Sequence, residues 1–187
     1  SVELSRQIEE LVQKIRAYGL DLAVNKCSIL HISNVNSDSD TRYSIDDHDL
    51  PIVSVQRDLG TELDAKLKFS EHCQKICNKA SSICFRIRRS FFSRDPVFLF
   101  RIFKTYVRPI LEHDSPVWSP SLKKDILKVE KPQKVFTKQL PGFYDLSYLN
   151  RLAALKEETL LVRRIKCDLI TVFKILHGFT DGLGTFL

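Results

Sequence analysis

Apolar spacing changes character near residue 69 of this 187-residue chain, and that change constrains the fold more than any other feature. Ahead of it lie one helical stretch and several short apolar runs cut by polar turns. Beyond it, apolar residues recur at three- and four-residue intervals over long stretches, which is the period of a helix. In residues 2–18, Leu4, Ile8, Leu11, Val12 and Ile15 share one helical face, and Gly19 stands where a cap is needed. Leu20–Val24 and Cys27–Ile32 alternate and read as strands turning at Asn25-Lys26. Ser33–Asp40, rich in Ser, Asn and Asp, reads as a surface loop. Tyr43–Ile45 and Pro51–Val55, joined by the turn Asp46–Asp49, read as a hairpin, and Asp58–Asp64 supplies one further strand.

The second part reads as helices in succession. Ser70 is an N-cap residue for a segment reaching about Phe91. Asp95-Pro96 starts the next, which carries Phe98, Ile102, Val107 and Ile110 and ends by Arg108–Leu111, because Pro109 is costly in a helix interior. A third follows Pro120 with Ile126, Leu127 and Val129. The last two cover about Ser147–Leu155 and Glu158–His177, with Gly178 as the stop. The fold class expected is therefore α+β: a small mixed piece over residues 1–68, then a mainly helical part over 69–187.

Composition permits such a core, with 43% apolar residues. No run of about 18 apolar residues is present, so no membrane span is expected. The odd count of five cysteines, with no secretory leader, points to reduced thiols and an intracellular setting, cytoplasmic or nuclear. The net charge of +6 is unevenly placed. Residues 1–68 hold 8 basic and 12 acidic side chains, hence −4; residues 69–187 hold 21 and 11, hence +10. The second part is the candidate for an anionic partner.

The helix after Ser70 carries Lys75, Lys79, Arg86, Arg88 and Arg89. Lys75, Lys79 and Arg86 fall near one face, a stripe suited to following a phosphate backbone and equally compatible with a solvated surface. Cys73, Cys77 and Cys84 share another stripe. Their spacing matches no standard zinc finger, so buried apolar cysteine is the expectation. No GxSxG or HExxH motif occurs and no Gly-rich phosphate loop exists among the six glycines, so a hydrolase reading fares poorly.

The run Tyr106 to Pro120, YVRPILEHDSPVWSP, closely resembles the segment YVRPILEYxSxVWxP found beyond the palm in reverse transcriptases of non-LTR, LINE-type retrotransposons. Further along, Phe136-Thr137-Lys138-Gln139-Leu140-Pro141-Gly142 resembles that family's FTKxLPG. Ser147-Tyr148, Arg151-Leu152, Arg163-Arg164, Asp168-Leu169 and Phe173–Gly178 follow in the family's order. Upstream, Gly19-Leu20, Asn25, Lys26, Cys27 and Asp58-Leu59-Gly60 resemble the end of the palm. The chain departs from the pattern at His113 and Asp114, which replace a Tyr and a small residue, and at Pro132, which replaces an apolar helical residue. An interior proline implies a helix that starts or breaks there.

The resemblance implies palm end over 1–68 and a helical thumb with its extension over 69–187. It implies that Lys26 lies near the incoming triphosphate and that Asp58, Leu59 and Gly60 form the primer grip. It gives Lys75, Lys79 and Arg86 a template–primer duplex, RNA–DNA or DNA, as partner. The upstream palm and fingers of the same polyprotein would hold the Mg2+ of the intact enzyme on aspartates that precede residue 1. Asp46-Asp47 lacks the aromatic-x-Asp-Asp context of such a metal pair. This chain is thus expected to grip duplex without polymerising, to need no cofactor of its own and to hold no metal. A helical protein-interaction module, or the product of a pseudogene, is the alternative.

Overall fold

The structure, a computed structural model, describes residues 2–32 and 42–179. The Ser33–Asp40 loop expected from sequence lies outside them. The fold is α+β, with eight α-helices and six short strands among the described residues. The chain divides into two compact units, Ser1–Lys68 and Phe69–Leu187. Every described strand lies in the first.

In the first unit, α1 (Val2–Ala17) ends at Gly19, whose φ of +71° suits glycine. Leu20–Val24 forms no strand. It leads into a 3-10 turn at Val24–Lys26, so the expected Leu20–Val24 strand is corrected. Strand β1 (Ile29–Leu30) pairs in parallel with β4 (Ile52–Val53). The hairpin is instead β2 (Ser44–Ile45) with β3 (His48–Asp49), which corrects the expected pairing with Pro51–Val55. Its two turn residues, Asp46 and Asp47, both have positive φ, a conformation Asp tolerates and tight hairpins require. The carboxylate of Asp46 pairs with Arg16. Strands β5 (Val55–Asp58) and β6 (Thr61–Asp64) form a second hairpin. Few side chains of this unit are buried, chiefly Val12, Tyr43, Ile45 and Thr61.

The second unit has a real core. Helix α2 (Ser70–Ser90) packs most extensively on α6 (Lys123–Lys138), with α3 (Pro96–Tyr106), α4 (Arg108–Glu112) and α5 (Ser115–Trp118) closing around them. Phe100, Phe103, Phe136, Leu111, Val129 and Trp118 are fully buried or nearly so. The Phe103 and Phe136 rings meet at 4.9 Å. Asp95 caps α3 as expected, its carboxylate accepting from the Val97 amide at 3.0 Å. Ser147 and Thr159 cap α7 (Tyr148–Ala154) and α8 (Leu160–Leu176) in the same way.

Three expectations fail here. Helix α3 stops at Tyr106 without reaching Ile110, and Pro109 sits in the first turn of α4, where its missing N–H costs nothing. The other two fail for a tertiary reason. Ser70 does not cap α2; Phe69, in the left-handed region, precedes it, and the Ser70 hydroxyl instead donates to Asp125 at 2.6 Å. Helix α6 neither starts nor breaks at Pro132. Proline cannot donate to the carbonyl four residues back, that of Lys128. The Cys77 thiol of α2 donates to that oxygen at 3.3 Å, so the freed acceptor is satisfied from the neighbouring helix.

Ion pairs tie the α7–α8 connection to α3 and α4. Glu157 accepts from Lys104 at 2.7 Å and from Arg108 at 2.9 Å. Burial alone would raise the Glu157 carboxyl, but these two cations outweigh it and hold it below the usual 4.5. A depressed native pKa contributes stability that is complete above the unfolded value and is lost as pH falls through the native one. Glu157→Gln is therefore expected to be less stable than wild type by a gap that is widest above pH 4.5 and closes on acidification. Chemical denaturation across the acid range measures it, and a gap independent of pH would refute the assignment.

Candidate nucleic-acid interface

Helix α2 separates two chemistries by its period. At about 100° per residue, Lys75, Lys79 and Arg86 fall within about 40° of one another, and Cys73, Cys77 and Cys84 fall about 180° away. The structure places the three basic residues in solvent and the three cysteines in the core. The span from Lys75 to Arg86 is about 16 Å, long enough to pass a few phosphates, which recur about every 3.4 Å of duplex axis on one B-form strand. Five basic residues and one acidic residue, Glu71, lie on the helix. The Arg89 guanidinium sits 5.7 Å over the Phe85 ring, beside the same face.

The cysteine stripe is apolar in character. Burial pushes the thiols up, Cys73 to about 11 and Cys77 and Cys84 to about 12, so they are inert packing groups rather than nucleophiles. All five cysteines are unpaired. Among the described residues, no group of three or more His, Cys, Asp or Glu is placed to hold a metal ion. None of the described helices is long and apolar enough to cross a membrane.

The candidate residues of the first unit lie on separate elements. Lys26 is exposed at the end of the 3-10 turn, just before β1. Asp58 ends β5, and Leu59 and Gly60 form the two-residue tip of the β5–β6 hairpin, both at positive φ. Leu59 is 88% exposed, unusual for a bulky residue held in the left-handed region. The tip thus presents backbone and an apolar side chain outward, a geometry open to another chain and also that of an ordinary tight turn.

One cluster was not singled out from sequence. Past the end of α2 the backbone turns extended at Phe91, and Phe91, Phe92 and Arg94 project from residues 91–95 before Asp95 opens α3. With Arg88 and Arg89 they wall a pocket against Gln139–Pro141. The signal available in sequence was RRSFFSR itself, basic residues interleaved with aromatics.

No family model matches the chain, and no solved structure does so either. An uncharacterized protein of Caenorhabditis elegans is 30% identical over 124 residues, which is 65% of this chain and 63% of that protein. The chain is similar to that worm protein over just under two thirds of each.

Proposed function

We propose that residues 69–187 grip the sugar-phosphate backbone of a template–primer duplex, as the thumb and thumb extension of a LINE-type reverse transcriptase, with residues 1–68 the end of its palm. The ordered series of motifs from Gly19 to Gly178 supports the ancestry. The observation that carries the function is the α2 face, with Lys75, Lys79 and Arg86 exposed together and backed by the cysteine core. Contacts of this kind position a duplex without reading its sequence. On this reading Lys26 and the Asp58–Gly60 tip act only in an intact enzyme, whose Mg2+-binding aspartates lie elsewhere in the polyprotein.

A second reading, a helical protein-interaction module, draws on α8. Val162, Ile165, Leu169, Val172 and Leu176 recur at alternating three- and four-residue spacing and are all exposed.

Fluorescence anisotropy with an RNA–DNA hybrid across a salt series separates the two. The chain is expected to bind with a log–log salt slope that the triple variant Lys75→Ala, Lys79→Ala, Arg86→Ala flattens by up to about three units. Unchanged affinity and slope in the triple variant would reduce the face to a solvated surface. Absence of binding even at low salt would favour the interaction module.

A further inference from the structure

We infer that the pocket at the C-terminal end of α2 binds one unpaired nucleotide, with its phosphate among Arg88, Arg89 and Arg94 and its base against Phe92. The site is separate from the Lys75–Lys79–Arg86 face and stands without it. It encloses about 270 Å3, close to the lower end of small-ligand clefts, about 300 Å3, so it suits a single nucleotide and not a duplex.

Three features point to a phosphate. Three arginines come from a seven-residue segment, and no carboxylate lines the pocket. Like charges gathered this way repel unless an anion joins them, and the planar fork of Arg matches phosphate oxygens in pairs. One of the three is already oriented within the pocket: Arg88 Nη1 donates to Gln139 Oε1 at 2.8 Å. Such preorganisation lowers the ordering cost of binding.

The ring requirement comes from the rim. Phe92 is 95% exposed directly beside the arginines. Phe91 next to it is braced edge-on by Phe98 at 6.0 Å, which fixes the backbone that presents Phe92. An exposed aromatic at the rim of a basic pocket is an arrangement on which unpaired bases stack. A phosphorylated side chain would use the arginines but leave the Phe92 face bare. Free mononucleotides and the loose end of a strand share the chemistry the pocket recognises.

Isothermal titration calorimetry on the whole chain tests this with AMP, inorganic phosphate, O-phosphoserine and a 5′-phosphorylated single-stranded trinucleotide. AMP is expected to bind about fivefold or more tighter than phosphate or phosphoserine, the contribution of one stacked base. Arg89→Ala with Arg94→Ala should weaken AMP about tenfold or more, since two charge-assisted contacts are lost. Phe92→Ala should abolish the advantage of AMP over phosphate while leaving phosphate affinity unchanged. These residues are exposed, so the variants should keep the wild-type melting temperature. The triple Lys75, Lys79, Arg86 variant should bind AMP as wild type does, which separates failure here from failure of the duplex grip. A trinucleotide bound more tightly than AMP identifies a strand end as the source; equal affinities identify the free nucleotide. The inference is overturned if AMP does not bind at millimolar concentration, if phosphoserine binds as well as AMP, or if the Arg89/Arg94 variant keeps wild-type affinity.

Discussion

Trp118→Ala should cost about 3–5 kcal/mol, the range for deleting a large aromatic from a closed core, and this is a large share of the roughly 5–15 kcal/mol that holds a domain folded. Trp118 is fully buried where α5 meets α8, and its ring packs 5.1 Å from that of His72 on α2. Its Nε1–H donates to the His113 carbonyl at 2.6 Å. Alanine removes the packing and the donor together. Trp118→Phe keeps most of the volume but loses the Nε1–H···O bond, so about 1 kcal/mol is expected. Because Trp118 is the single tryptophan, unfolding in urea has to be followed by circular dichroism rather than by its fluorescence. A loss below about 1 kcal/mol for the alanine variant would show that the site collapses around the gap.

What was legible in the sequence is what depends on neighbours along the chain. The Asp95-Pro96 start and the Gly178 stop act within a few residues and appear where expected. The division of α2 into a basic face and a cysteine face follows from periodicity alone, so the candidate duplex-facing residues could be grouped before any fold was known. What was illegible depends on distant partners. Ser70 carries a good capping side chain, but Asp125, 55 residues away, takes its hydroxyl. Pro132 reads as a helix breaker until Cys77 of another helix satisfies the carbonyl it frees. In the first unit, strands of two residues are too short to announce partners, so the pattern points Pro51–Val55 to the nearer run, whereas β4 within it pairs in parallel with β1. The arginine pocket needs Gln139 to come beside Arg88 across 51 positions, and no local pattern shows that.

Glu130 should prove the most costly single polar group to remove, because three donors from two helices converge on it. Its carboxylate accepts from the Leu160 amide at 3.0 Å, from the Leu161 amide at 3.2 Å and from the Tyr148 hydroxyl. The two amides open α8, so a carboxylate here also faces the positive end of that helix. Burial, with Glu130 beside it, pushes the Tyr148 phenol well above its usual range, so it remains a donor. Arg164 is fully buried on the same helix; burial pulls its guanidinium down, and Glu130 is foremost among the charges that oppose this. Glu130→Ala thus strands two helix-end donors and a phenol and removes the foremost of the charges that compensate a buried cation. With about 1–3 kcal/mol per stranded buried group, and some relaxation, a loss of about 3–5 kcal/mol is expected. Glu130→Gln keeps an oxygen acceptor of similar shape but loses the charge, so about 1–2 kcal/mol should go. Denaturant midpoints rank the three proteins, and hydrogen exchange locates the effect. The Leu160 and Leu161 amides should lose protection first in the alanine variant, ahead of the α2–α6 core. If Glu130→Ala costs less than about 1 kcal/mol and both amides stay protected, water or the Thr159 cap is holding the start of α8, and Glu130 is not its anchor.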